Sequence, residues 1–229
     1  AIQNKFKLHS SRVFTIKNGV DLNAYRSSNN KEELRKELGI AEDEKVIGIV
    51  ANLKRIKNHI FLLKAFNELV KNYKKAKLLL IGQGFENDPE NTEAELRIFV
   101  DKNGLKEKVL FLGYRSDIPD LLNIMDIFCL TSFNEGLPIS LIEAMAAGLP
   151  VVGANVEGIR DVIIPDKNGF LVQLGDIKGL KNALYILLID KSLRLRYCNK
   201  SRILATDNYS FNRCIKEYQE LFISLMKNK

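Results

Sequence analysis

Lys45-Val46-Ile47-Gly48-Ile49-Val50-Ala51 is a run of strand-forming apolar residues behind a single lysine, and the pattern of the residues after it identifies the fold class. From Asn58 to Tyr73, apolar residues recur at helical spacing through Ile60, Leu63, Phe66, Leu69 and Val70. Lys77-Leu78-Leu79-Leu80-Ile81 then repeats the strand pattern, and Gly82-Gln83-Gly84 ends it. Continuous apolar strands separated by amphipathic helices suit a parallel sheet covered on both faces, because neither face meets water.

The same alternation runs on. Glu90 to Asn103 reads as a helix stopped by Gly104, Val109 to Leu112 as a strand, and Ile118 to Asn123 as a short helix. Ile127 to Leu130 is a strand, Pro138 to Ala147 a helix, Pro150 to Gly153 a strand, and Gly169 to Val172 a short last strand. Helices are expected at Ile177 to Ile189, Ser192 to Ala205 and Ser210 to Met226. Upstream, Val13 to Lys17 reads as a strand and Asn18-Gly19-Val20-Asp21 as a turn; Ser27-Ser28-Asn29-Asn30 reads as a polar loop before a helix from Lys31 to Leu38. The expected architecture is α/β: a doubly wound, Rossmann-like parallel sheet with extra C-terminal helices, the first 40 residues forming an edge of a single domain. Ligands in such sheets bind beyond the carboxyl ends of the strands. The loops that matter are therefore those after Ala51, Ile81, Leu112, Leu130 and Gly153.

Composition bounds the function. The 229 residues are 46% hydrophobic and 28% charged, ordinary for a globular protein. No apolar run approaches the roughly 18–20 residues of a membrane span. The opening residues Ala1-Ile2-Gln3-Asn4-Lys5 lack an initiator Met and an apolar core, so the chain is expected to be an excised piece. Three cysteines (Cys129, Cys198, Cys214) without metal-type spacing fit a reducing, cytoplasmic setting. The formal charge of +7 favours anionic partners. The basic residues are spread along the chain, so nucleic acid is not an expected partner; docking at the cytoplasmic membrane face is compatible with the charge.

One junction carries the chemistry: Glu135-Gly136-Leu137-Pro138-Ile139-Ser140-Leu141-Ile142-Glu143. It runs from a loop after a strand into a helix. Pro138 suits the first helical position because it has no N–H to leave unpaired. The amides of Ile139 and Ser140 then point outward, where the helix dipole favours an anion. Glu143 lies five residues beyond Pro138, about 7 Å along the axis. A carboxylate is a poor partner for phosphate but a good double acceptor for a vicinal diol. Glu135 can hold a second diol. Alone, either glutamate reads as a surface acid; together at this junction they suit a nucleotide sugar. Lys54, Arg55 and Lys57, at the turn after the first strand, suit a diphosphate, with Lys57 at the helix mouth the best placed. His59 reads as a surface residue at a helix start. Tyr114 and Arg115 face the same crevice and could border a base, or else Arg115 is an exposed residue beside a helix cap. Gly158-Ile159-Arg160-Asp161 is a further loop at that edge.

Other chemistries fit poorly. Gly82-Gln83-Gly84 lacks the third glycine of a dinucleotide fingerprint, since Asn87 stands there. There is no Walker sequence, no nucleophile elbow and no Asp-any-Asp triplet, and His9 and His59 are the only histidines. No metal and no cofactor is expected.

Taken together, Glu135 to Glu143 with its continuation Ala-Met-Ala-Ala-Gly-Leu-Pro-Val-Val, the turn Asn18 to Asp21, and Lys57 resemble the donor-binding domain of retaining GT-B glycosyltransferases of family 4. The resemblance covers nearly the whole chain. It implies one half of a GT-B fold, with residues 1–229 a single nucleotide-sugar (donor) domain and the N-terminal acceptor domain absent. It also implies that Glu135 holds donor-sugar hydroxyls and that Glu143 holds the ribose diol. The backbone at Gly136, Leu137, Ile139 and Ser140 meets sugar and diphosphate, Lys57 binds phosphate, and Tyr114 and Arg115 lie near the base. Asn52 stands where the family usually has Arg, with Arg55 the candidate replacement, and Leu137-Pro138 replaces the usual Phe-Gly, as in bacterial capsule and exopolysaccharide enzymes. The implied reaction is metal-independent transfer of a sugar from a nucleotide diphosphate, with UDP expected, to a glycan or lipid-linked acceptor. The alternatives are a non-catalytic nucleotide-sugar-binding module and, less directly, a nucleotide-sugar epimerase.

Overall fold

The computed structural model describes residues 13–25 and 30–227. Its strands are β1 (Lys45–Val50), β2 (Ala76–Ile81), β3 (Val109–Gly113), β4 (Ile127–Leu130), β5 (Val151–Ala154) and β6 (Gly169–Val172). They form one sheet in the order β3-β2-β1-β4-β5-β6, with every neighbouring pair parallel. The helices are α1 (Lys31–Glu37), α2 (His59–Asn72), α3 (Glu93–Lys102), α4 (Ile118–Ile124), α5 (Ile139–Ala146), α6 (Ile177–Ile189), α7 (Lys191–Tyr209) and α8 (Phe211–Lys227). The expected elements from residue 31 onward are present, most within one or two residues of their expected ends.

Burial explains why the strands were readable. β1, β2, β4 and β5 bury almost every side chain, whereas β3 and β6, at the sheet edges, are partly half-buried. From β1 the chain winds outward through α2, β2 and α3 to β3. It then returns through α4 to β4 on the other side of β1 and winds outward again through α5, β5 and β6. Right-handed crossovers put α2 and α3 on one face and α4 and α5 on the other. α6 packs on α2, and α7 on α5. The loops after β1 and β4 therefore leave the sheet in opposite directions, which opens a crevice at their carboxyl ends.

Contacts on both sides of β1 shape its surroundings. At the foot of its boundary with β4, the Asp126 carboxylate accepts from Lys45 Nζ at 3.0 Å and from the Val46 amide at 2.9 Å, while the Asp126 amide donates to Val46 O at 2.7 Å. On its other side, where β2 ends, Gly82 has φ +135°, and a Cβ there would lie 2.1 Å from Ala51 O. Only glycine lets the chains leaving β1 and β2 pass this closely.

The N-terminal expectation needs correction. Residues 13–19 form no strand; only Val20 makes an isolated bridge, with Ser210. The segment lies along α8 instead, where Phe14, Thr15 and Ile16 line a hollow with Glu217, Leu221 and Ser224, and Arg213 donates to Lys17 O at 2.8 Å. Alternating apolar residues fit a helix face as readily as a sheet. Residues 27–29 of the expected polar loop, the opening residues and His9 lie outside the described residues.

His59 also departs from expectation. It opens α2 but is 1% exposed, and neither ring nitrogen makes a well-formed hydrogen bond among the described residues. Burial, and then the nearby Lys57 charge, push its pKa down from 6.5 to about 4. The ring is thus buried neutral. Its contribution to stability is complete above pH 6.5 and is lost as pH falls toward 4, because the unfolded chain takes up a proton that the folded chain refuses. Urea melts are expected to show this component falling by about 2 kcal/mol between about pH 7 and about pH 5. Relative to His59→Leu, the natural chain should lose that amount of stability over the same range; a difference independent of pH contradicts the assignment.

Candidate functional site

The loops after β1 and β4 are stitched together at the crevice. The Phe133 amide donates to Ile56 O at 2.8 Å, and Thr131 Oγ1 donates to Asn58 O at 3.1 Å. Residues Arg55–Lys57 form a 3-10 turn, and Asn58 follows with φ 51° and ψ 43°. This left-handed conformation is strained for most side chains and tolerated by Asn. It turns the chain into α2 and leaves Lys57 facing the loop after β4. There Lys57 Nζ lies 2.8 Å from Glu135 Oε1, which also accepts from Ser132 Oγ at 2.6 Å. The ion pair is largely shielded, with side-chain exposures of 26% and 13%.

α5 begins just beyond. Pro138 stands one residue earlier than expected: it is the N-cap, with φ −76° and ψ 90°, and Ile139 is the first helical residue. Its carbonyl accepts from the Leu141 amide at 3.1 Å and from the Ile142 amide at 3.2 Å. The amides of Ile139 and Ser140 precede these bonds and carry the positive end of the helix dipole. Gly136 is exposed, and Leu137 is half-buried against the core. Behind the loop, Gly158 has φ +80°, and a Cβ there would lie 2.4 Å from Glu135 O and 2.6 Å from Gly136 O. The loop after β5 thus presses its backbone against the loop that carries Glu135.

Glu143 follows Ile139 by four residues and so lies on the same helix face, about 6 Å along the axis. It is half-buried, not a plain surface acid. Burial raises its pKa, and a hydrogen bond from Tyr25 OH to Oε1, at 2.7 Å, opposes that rise.

The other expected residues divide. Asn52 is exposed at the end of β1, and its carbonyl accepts from the Lys54 amide at 2.8 Å. Lys54 and Arg55 do not join Lys57 at Glu135. Lys54 pairs with Asp88 at 2.6 Å, and Arg55 lies 3.9 Å from Glu95 on α3. Tyr114 is 76% exposed beyond β3, the edge strand two places from β1. Arg115 is neither exposed nor unengaged. It donates to both Asp117 oxygens, at 2.7 and 2.5 Å, and lies 3.6 Å from Glu37. This pairing raises the pKa of Arg115 and lowers that of Asp117. Sequence reasoning missed Ser132 and Tyr25. Ser132 lay within the loop already singled out, whereas nothing marked Tyr25.

The crevice therefore brings together one lysine, one carboxylate and a helix start, with a second carboxylate, Glu143, about one turn along that helix. Such a set can hold an anion and, to either side of it, groups rich in hydroxyls.

Comparison with known proteins bears on family and fold. The family model for glycosyl transferases group 1 matches residues 30–203. The chain is 30% identical over 222 residues to an Escherichia coli UDP-Gal:alpha-D-GlcNAc-diphosphoundecaprenol alpha-1,3-galactosyltransferase, covering 95% of this chain and 56% of that protein. The crystal structure of Anabaena HepE in complex with UDP and glucose superposes with a TM-score of 0.87 at 26% identity, covering 94% of this chain and 58% of that one. The C-terminal domain of a glycosyl transferase group 1 family protein (LpcC) from Francisella tularensis gives a TM-score of 0.75 at 25% identity, covering 84% of this chain and 99% of that one. The chain spans a little over half the length of the galactosyltransferase and of HepE.

Proposed function

This chain belongs to the glycosyl transferases group 1, and we propose that it is the donor-binding half of a metal-independent, retaining enzyme of that family. The complete enzyme transfers a sugar from a nucleotide diphosphate sugar to a glycan or lipid-linked acceptor in the making of a bacterial surface polysaccharide. An N-terminal half supplies the acceptor site, and the work is done at the cytoplasmic face of the membrane. UDP is the proposed diphosphate; HepE was crystallised with UDP, and the E. coli relative is named for UDP-Gal.

The observation that carries this reading is the convergence of Lys57, Glu135 and the first turn of α5 at the boundary between β1 and β4. As the bond to the sugar breaks, negative charge grows on the leaving diphosphate. Lys57 and the amides of Ile139 and Ser140 stabilise that charge with groups already in position. Glu135 accepts from the sugar hydroxyls, and Glu143 from the ribose. Tyr114, and Arg115 held by Asp117, border the base at the far edge. Without donor, Lys57 and Glu135 neutralise each other. Donor binding draws Lys57 toward phosphate and turns Glu135 to the sugar. Asn52 and Arg55 lie at the rim of the diphosphate site.

Calorimetric titration of UDP and UDP-glucose separates these roles. Glu143→Ala is expected to weaken both ligands by about tenfold or more, the scale of a hydrogen bond to a charged group. Glu135→Ala should weaken UDP-glucose to a similar extent and leave UDP unchanged or slightly tighter, since it releases Lys57. Equal losses for both ligands in both variants contradict the assignment.

A further inference from the structure

Glu143 does not meet the crevice alone. Tyr25, the last residue of the 3-10 turn Leu22–Tyr25, reaches it from 118 positions away and donates its hydroxyl to Oε1 at 2.7 Å. A vicinal diol presents two donors side by side. Oε1 already accepts from Tyr25, whereas Oε2 accepts from no group among the described residues and is the more open to one of them. The phenol oxygen beside it donates and accepts at once. With its proton on Oε1, its lone pair remains open to a second hydroxyl.

Tyr25 is held in place by contacts that involve no ligand. The Val20 amide donates to Tyr209 O at 2.8 Å, and the Phe211 amide donates to Val20 O at 3.0 Å. Gly19 lies so close to the junction of α7 and α8 that a Cβ would come within 2.5 Å of Ser210 O. Asp21 Oδ1 accepts from the Asn23 amide at 3.0 Å, and the turn then packs on α4 and α5. The hydroxyl is thus delivered from a clamped segment, and little ordering remains to be done on binding. Tyr25 is half-buried, so its ring is not sealed in the core. Burial, followed by the bond to Glu143, raises the Tyr25 pKa and keeps the phenol a proton donor.

We propose that Tyr25 and Glu143 read the ribose diol as a pair: Glu143 Oε2 accepts from one hydroxyl, and the Tyr25 oxygen accepts from the other. Tyr25 is then a specificity-determining residue that selects ribonucleotide over deoxyribonucleotide donors. The proposal rests on the assignment of Glu143 to the ribose.

The test titrates the whole chain, Tyr25→Phe and Glu143→Gln with UDP, 2′-deoxy-UDP and 3′-deoxy-UDP. The unaltered chain is expected to prefer UDP over each deoxynucleotide by about tenfold. Tyr25→Phe should erase the preference at one hydroxyl, to within about twofold, and keep it at the other. A merely supporting tyrosine would weaken all three ligands by one common factor. That result, or no change at all, overturns the pairing while Glu143→Gln still loses UDP. If Glu143→Gln binds UDP as the unaltered chain does, the ribose assignment itself falls and takes the pairing with it. Failure of the unaltered chain to bind UDP, or to discriminate among the three nucleotides, overturns it as well.

Discussion

Strands β1 and β4 lie side by side, but the chain winds away from them in opposite directions, and the crevice exists because of that reversal. The sheet grows outward from β1 on one side and from β4 on the other. No crossover helix spans the carboxyl ends of this pair, so the loops that leave them meet each other directly. Every group argued to act on a ligand is placed by one of these loops, by α5, by a segment docked against α5, or by the loop after β3 at the far edge. The Asp126 clamp on Lys45 and Val46 holds the foot of the boundary, and the bonds from Phe133 and Thr131 to the β1 loop hold its top.

On the proposed reading, the electrostatics of the crevice follow from a shortage of uncommitted cations. Of the three basic residues after β1, Lys54 and Arg55 have acidic neighbours in Asp88 and Glu95, and Lys57 is balanced by Glu135 itself. An incoming diphosphate therefore competes with a carboxylate that is needed next for the sugar. The exchange links the two steps: as Lys57 turns toward phosphate, its hold on Glu135 loosens. The helix amides bear no such conflict. Pro138, placed as the cap, costs the helix no hydrogen bond and contributes its carbonyl to the first turn.

Much of this was legible in the sequence. The central strands are buried on both faces, so they appear as unbroken apolar runs such as Leu78-Leu79-Leu80-Ile81. The junction from Glu135 to Glu143 was legible as a loop running into a helix, because Pro138 suits a helix start. Part of what escaped was set by contacts distant in sequence. Val13 to Lys17 alternates like a strand, but the surface it found was α8. His59 looked exposed because a polar residue at a helix start usually is, and only the left-handed turn at Asn58 carries it inward. Arg115 has its partners in Asp117, two residues on, and in Glu37 on α1. The bond from Tyr25 to Glu143 has no local signature at all.

If the proposed function is right, a nucleoside diphosphate enters the crevice between β1 and β4 at the start of α5. Titrating the isotope-labelled chain with UDP and following backbone amide chemical shifts shows where it binds. The largest shifts are expected on the amides of Lys57, Gly136, Leu137, Ile139 and Ser140, around the junction. Shifts concentrated instead around Asn23, Arg202 and Thr206, at the cavity beside α7, or no saturable shifts at any concentration, would contradict it.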